Sequence, residues 1–131
     1  YFFIPHRNET RGIGGIFFDR LMGKHKKELF DFVCAVGRTF APTYCHIVRD
    51  KKNTTYDKSH KKWQGIRRSR YVEFNLLYDK GTKFGLDTDG RTESILMSMP
   101  PLAEWHYNYT PAIGSEEEKT LQFLKKGKAW V

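Results

Sequence analysis

The sequence has little cysteine and no long apolar run. Its two cysteines, Cys34 and Cys45, are too few for a disulfide framework or a cysteine-built zinc site. No stretch approaches the ~20 consecutive apolar residues that a membrane-spanning helix needs, so we expect no membrane span. A signal-peptide pattern is also missing, and the chain opens on Tyr1 inside an apolar stretch. We therefore expect a portion of a longer protein whose N-terminal part is absent.

The motifs of several common enzyme classes are also absent. There is no HExxH, CxxC or serine nucleophile elbow. The glycines at 12–15 lack both the dinucleotide spacing and the Walker lysine. Residues 87–90 look like the start of a calcium loop, but the twelve-residue register places Leu96 where the closing glutamate belongs.

Charge is the clearest compositional signal. Lysine and arginine number 23 against 15 acidic residues, a net charge of +8. This excess favours an anionic partner, namely nucleic acid, an acidic membrane or a polyanionic small molecule, although a basic solvated surface explains it as well. A nucleic-acid-binding module is therefore one alternative, suggested by Arg67 and Arg68 near Trp63 and Tyr71.

Apolar spacing predicts three helices. Positions from Leu29 to Phe40 recur at helical intervals, which predicts a helix over about 26–40. A second helix should carry Trp63 and Ile66. A third should begin at Ser115, which has the spacing of a capping box with a glutamate three residues on.

Other segments favour strands. Residues 12–18 read as a strand with a glycine-rich entry, and residues 71–77 are rich in β-branched and aromatic side chains. Residues 83–86 can pair back on 71–77 through a turn at 79–82, which makes a hairpin. Residues 93–99 alternate as a further strand. This order predicts an α+β fold, an antiparallel β-sheet flanked by helices, in one domain piece.

The residues alone suggest anion binding and stop short of a reaction. Arg7 and Arg11 flank the first glycine turn, and Arg91 follows Asp89 and Gly90. Guanidinium groups bind carboxylates in a two-pronged geometry, and a glycine lets backbone N–H groups approach an anion. An ordinary ion pair is the alternative for each arginine.

Three stretches carry a more specific signal. They are His6–Asp19, Arg70–Leu86, and Gly90–Leu102 followed by Trp105. In order and spacing they resemble the signature stretches of the oxygen-dependent coproporphyrinogen oxidase family. The resemblance implies the C-terminal portion of a single coproporphyrinogen oxidase domain, with a large antiparallel sheet flanked by helices.

The resemblance also implies an activity. Family members use molecular oxygen to convert two propionates of coproporphyrinogen III into vinyl groups, releasing carbon dioxide and hydrogen peroxide. They use no organic cofactor, and a divalent metal is argued for some bacterial members. They are usually homodimers, with a subunit contact over the region that matches Tyr71 to His106. A dimerisation piece without chemistry of its own is thus a third reading. Relatives occur in the cytoplasm and in the mitochondrial intermembrane space, and we expect the cytoplasm here.

The resemblance also implies roles for individual residues, carried over from the matching positions of the family's motifs. The resemblance implies a catalytic role for Asp79, with a simple turn-forming role as the alternative. It makes His6 a candidate metal ligand. The implied substrate-binding residues are Arg7, Arg11, Lys80, Asp89, Gly90 and Arg91.

Two positions depart from the family pattern. Lys80 replaces a common arginine and loses its fork, and Asp89 replaces a common glycine. The family's proton-donor histidine matches a region before residue 1, so this chain alone should be inactive.

Overall fold

A computed structural model describes residues 1–13, 15–23 and 25–129. It divides the chain into two compact units, residues 1–15 with 57–131, and residues 16–56. The described residues form two short strands and five α-helices: β1 (Phe3–Ile4), β2 (Glu9–Thr10), α1 (Lys26–Lys51), α2 (Lys58–Leu77), α3 (Lys80–Asp87), α4 (Thr92–Leu96) and α5 (Glu116–Phe123). The strands pair antiparallel, which confirms the α+β class. Within these ranges no helix combines the length and apolarity of a membrane span.

The unit of residues 16–56 is dominated by α1. The predicted helix over 26–40 is confirmed, and it continues to Lys51 past Pro42. Proline removes one backbone hydrogen bond but does not always end a helix. None of the described side chains of α1 is buried, and apolar rings such as Phe30 and Phe40 are exposed.

Helix α2 is the scaffold of the other unit. It begins after Asp57, whose Oδ1 accepts hydrogen bonds from the backbone N–H groups of Ser59 and His60. The Asp57 N–H in turn donates to His60 Nδ1. This reciprocal cap satisfies donors that have no partner inside the helix. The predicted helix carrying Trp63 and Ile66 is confirmed.

The predicted strand over 71–77 is wrong, because α2 runs through it to Leu77. The buried positions Ile66, Ser69 and Glu73 recur at intervals of three and four residues, and buried Phe74 lies beside Glu73; this is the period of a helix face. Strand propensity depends on context, and here the burial of one helical face outweighs it.

The other predicted strands are wrong as well. The described residues of 12–18 contain no strand, and Gly14 lies outside the described residues. Residues 83–86 belong to α3 and residues 93–96 to α4. The turn predicted at 79–82 is the start of a helix, because the Asp79 carboxylate caps α3 by accepting the Thr82 N–H at 2.8 Å.

A small core joins the sheet to α2 and to the end of α5. Ile4, Ile66, Phe74 and Leu124 are its buried apolar side chains. The Thr10 N–H donates to the Leu124 carbonyl at 2.7 Å. This bond ties β2 to the end of α5, so the N-terminal strands are held by apolar packing and by the backbone.

The predicted helix at Ser115 is confirmed, and half of its capping box is present. Ser115 Oγ accepts the Glu118 N–H at 3.1 Å. The Glu118 carboxylate accepts from the Gly114 N–H at 2.6 Å, one residue before the expected donor. The helix start is therefore capped, with the second bond shifted by one residue.

The loop from α3 to α4 needs glycine at position 90. Its N–H donates to the Gly85 carbonyl at 2.9 Å, and a Cβ built there would lie 2.8 Å from that oxygen. The neighbouring Asp89 has a left-handed backbone, with φ of 57°. Contact with a backbone oxygen cannot be relieved by turning a side chain.

We predict that Gly90→Ala lowers the free energy of unfolding by about 1–3 kcal/mol, the usual cost of overpacking. Gly37→Ala is the matched control. It lies inside α1 with nothing within 4 Å of a built Cβ, so alanine there should stabilise by about 0.5–1 kcal/mol. Urea unfolding of both variants checks the pair. Equal effects of the same sign would contradict the steric argument.

Candidate functional site

The carboxylate of Glu73 collects hydrogen bonds from three segments of the chain. Its side chain is 9% exposed. Arg7 grips it with two nitrogens, Nη2 at 2.7 Å and Nε at 3.0 Å. His6 Nε2 lies 2.8 Å away, and Trp105 Nε1 donates at 2.9 Å. Arg70, one turn earlier on α2, adds a longer contact at 3.4 Å. The carboxylate thus joins the turn after β1, helix α2 and the Trp105 segment.

A second carboxylate, Glu9 on β2, extends this cluster. Its Oε1 accepts from Arg67 Nη1 at 2.9 Å and from Arg70 Nε at 3.0 Å. Arg67 Nη2 also donates to the Thr10 and Arg11 carbonyls. Burial lowers the pKa of Arg67, but its pairing with Glu9 compensates for the lost hydration. The predicted nucleic-acid contact at Arg67 is therefore occupied within the chain.

Glu73 stays ionised over most of the pH range. Burial alone would raise its pKa, but the hydrogen bonds from Arg7, His6 and Trp105 lower it from 4.5 to about 2. Pairing with Glu73 likewise raises the pKa of Arg7. A paired, hydrogen-bonded carboxylate of this kind holds its neighbours in place and does not exchange protons near neutral pH.

This geometry bears on two of the sequence-predicted site residues. The guanidinium fork of Arg7, predicted to bind substrate, grips Glu73, which favours the ion-pair alternative. Both ring nitrogens of His6 are engaged, Nε2 with Glu73 and Nδ1 with the Tyr78 hydroxyl. No group of three or more His, Cys, Asp or Glu side chains suited to a metal occurs in residues 1–13, 15–23 and 25–129. One histidine and one carboxylate do not fit a complete metal site, and His6 as a ligand stays a prediction.

Arg11 lies against aromatic faces at the edge of α2. Its guanidinium carbon is 4.2 Å from the centre of the Phe2 ring, 4.7 Å from Tyr71 and 5.3 Å from Phe74. Stacking of this kind orients a guanidinium while its N–H edges remain able to donate. Arg11 and Tyr71 line an open groove of about 440 Å³ with Gln64, Arg67, Arg68, Ser98 and Pro100.

Asp79 is both a helix cap and an acid placed near Arg11. Its Oδ2 accepts from the Thr82 N–H at 2.8 Å and the Thr82 hydroxyl at 2.9 Å, and its Oδ1 accepts from the Tyr1 hydroxyl at 3.0 Å. Burial opposes ionisation, but these hydrogen bonds and the charge of Arg11 hold the pKa of Asp79 below its ordinary value. Lys80, the first residue of α3, is exposed.

The loop of Asp89, Gly90 and Arg91 stands apart from these contacts. Arg91 is exposed, and its carbonyl accepts the Ser94 and Ile95 N–H groups at the start of α4. Its guanidinium makes no ion pair with any described residue. We predicted that the Gly90 N–H faces an anion. In the structure it donates a hydrogen bond to the Gly85 carbonyl. The structure thus places Arg11 and Asp79 together but joins neither to this loop by a hydrogen bond.

Sequence reasoning missed the residues at the centre of the cluster. Arg67, Arg70 and Glu73 recur every three residues, which lines up side chains on a helix. The strand interpretation of 71–77 separated Glu73 from the two arginines and hid this row. Glu9 and Trp105 come together with it only through tertiary contacts, for which the sequence has no local signal.

We predict that Glu73→Gln destabilises the chain by about 1–3 kcal/mol at pH 7, because the guanidinium groups of Arg7 and Arg70 lose the carboxylate that they share. Folding lowers the pKa of Glu73, so its contribution is complete above pH 4.5 and is lost as the pH falls toward about 2. The difference in the free energy of unfolding between wild type and variant should therefore be smaller at pH 3 than at pH 7. Urea unfolding at both pH values measures it.

The control is Glu93→Gln on α4, where the carboxylate is exposed and the change should stay within about 0.5 kcal/mol. A Glu73→Gln effect no larger than that of Glu93→Gln, or one independent of pH, would contradict the prediction.

Comparisons with known proteins agree with the resemblance. The family model described as coproporphyrinogen III oxidase matches residues 1–130. A protein of Francisella tularensis subsp. holarctica (strain OSU18), named oxygen-dependent coproporphyrinogen-III oxidase, is 52% identical over 131 residues, which is 100% of this chain and 42% of the relative. Proteins of the same name from subsp. mediasiatica (strain FSC147) and subsp. tularensis (strain SCHU S4) are each 51% identical over the same shares. The chain thus spans about two-fifths of the length of these relatives, and it belongs to the coproporphyrinogen III oxidase family.

Proposed function

We propose that this chain is the C-terminal portion of an enzyme that oxidatively decarboxylates two propionates of coproporphyrinogen III, with molecular oxygen as co-substrate. Family membership over residues 1–130 carries the proposal. Each propionate becomes a vinyl group by losing carbon dioxide, two electrons and a proton. Oxygen takes up the two electrons with two protons and leaves as hydrogen peroxide.

The chemistry of the chain suits this substrate. Coproporphyrinogen is a macrocycle with four carboxylates, and the net charge of +8 attracts it. The pyrrole rings are electron-rich, so the protein mainly binds and orients them. We assign no organic cofactor, and no step of the proposal runs through a metal. The nucleic-acid alternative has no support, since Arg67 is paired with Glu9 and the relatives carry an oxidase name.

Within this chain we assign Asp79 to the chemistry. Its lowered pKa keeps it a carboxylate, which can accept hydrogen bonds from pyrrole N–H groups or stabilise positive charge on the macrocycle. Arg11 beside it and Lys80 after it supply cationic contacts for propionates. Arg91 and its loop are assigned to a further propionate, and Arg7 stays a weaker candidate because Glu73 occupies its fork.

The whole enzyme is proposed to act as a homodimer in the cytoplasm. The family resemblance associates the region from Tyr71 to His106 with the subunit contact. The same region contains Asp79, Lys80 and Arg91, so subunit contact and site would share α3 and α4.

Asp79→Asn separates chemistry from capping. Asparagine caps a helix about as well as aspartate, so the full-length variant should fold and dimerise, yet lose about 100-fold or more in kcat if the charge acts on the substrate. Steady-state turnover of coproporphyrinogen III measures this. Asp87→Asn, at the exposed end of the same helix, should turn over normally. A fully active Asp79→Asn enzyme would leave Asp79 as a cap only.

Arg91→Ala tests the loop. The guanidinium has no described carboxylate partner, so its removal should cost little stability but raise KM for coproporphyrinogen III about tenfold or more, the loss expected for one charge-assisted contact. Thermal unfolding and steady-state kinetics of the full-length variant measure both quantities. Arg38→Ala on the exposed surface of α1 is the control. Unchanged kinetics would remove Arg91 from the site.

A further inference from the structure

Helix α2 carries polar side chains on two faces, and only one of these faces belongs to the ion-pair cluster around Glu73 and Glu9. Arg70 and Glu73 face β2 and the Trp105 segment. Gln64, Arg68 and Tyr71 are spaced four and three residues apart, so they form a row along the other side. All three line the groove of about 440 Å³ that also contains Arg11. This volume lies in the range of small-molecule sites.

The charge of this groove is unbalanced. Its lining contains three arginines and no acidic residue. Arg67 is paired with Glu9, and Arg11 is stacked on aromatic rings. Arg68 is half-buried, and among the described residues it donates no hydrogen bond and forms no ion pair. The Arg68 guanidinium is therefore available to an anion and can hold a carboxylate in a two-pronged contact.

The shape of the groove selects the kind of anion. Tyr71 and Pro100 add flat apolar side chains beside the guanidinium groups of Arg67 and Arg68, and Arg11 lies over the Tyr71 ring. A smaller concavity of about 200 Å³ is also lined by Arg11 and Tyr71, so it adjoins the groove. Guanidinium forks match carboxylates, and flat rings stack on aromatic and proline faces. The combination suits a carboxylate attached to a flat ring.

We propose that this groove binds a carboxylate carried on a flat unsaturated ring, with Arg68 as its ionic contact and Tyr71 as the surface under the ring. The inference rests on the proposed function and deepens it: the ligand is a pyrrole of the macrocycle with its propionate.

Arg68→Gln in the full-length protein tests the inference. The probe is coproporphyrin III, the stable oxidised tetracarboxylate, titrated by fluorescence quenching. Loss of one charge-assisted fork should raise its Kd about tenfold or more, whereas Arg38→Gln on α1 should leave Kd unchanged. Arg68→Lys keeps the positive charge but loses the two-pronged geometry, so its Kd should lie between those of the wild type and Arg68→Gln. The tetramethyl ester of coproporphyrin should not distinguish Arg68→Gln from wild type.

The outcomes separate this inference from the proposed function. If the wild type converts coproporphyrinogen III, and neither Kd nor KM changes in Arg68→Gln and Arg68→Lys, the groove assignment is overturned and the function stands. If the wild type makes no product but binds coproporphyrin in a manner that depends on Arg68, the function fails and the groove stands. Binding of single-stranded DNA that is lost in Arg68→Gln, with coproporphyrin binding intact, would also overturn the assignment.

Discussion

The ionised carboxylate of Glu73 is the constraint on which the architecture of the unit formed by residues 1–15 and 57–131 depends. A glutamate that is 9% exposed is stable as an anion only because four donors surround it, namely His6, Arg7, Arg70 and Trp105. Those donors come from three separate segments, so satisfying one charge fixes the position of all three. The core of Ile4, Ile66, Phe74 and Leu124 is small. The hydrogen bonds to Glu73 therefore do much to select one arrangement of the three segments.

The same arrangement places the candidate site residues. Once Glu73 and Glu9 hold the N-terminal segment on α2, Arg11 lies over Phe2, Tyr71 and Phe74. In that position it lines the groove and influences Asp79 at the start of α3. One face of α2 therefore organises the structure, and the neighbouring face presents unpaired positive charge. This division separates Arg67 and Arg70, which are paired within the chain, from Arg68, to which we assign a propionate only as a proposal.

The sequence predicted local features well where local physics decides them. The start of α5 follows from the Ser115 cap, and α1 follows from apolar spacing. The strand predicted over 71–77 was wrong because β-branched and aromatic residues fit a strand as well as a helix. Burial of one helical face against distant segments favours the helix. Asp79 and Arg11 were predicted as site residues through family resemblance. Glu73 was not, because three of its donors, His6, Arg7 and Trp105, are 32 to 67 residues away and only the fold brings them together.

The most direct test of this account is a double-mutant cycle between Arg7 and Glu73, measured by urea unfolding at pH 7. Glutamine at each position alone and at both positions completes the cycle. If the two-pronged contact holds the N-terminal segment on α2, the coupling energy should be about 1–3 kcal/mol. A coupling close to zero would show that the contact between Arg7 and Glu73 does not hold this segment, and it would contradict the central role of Glu73.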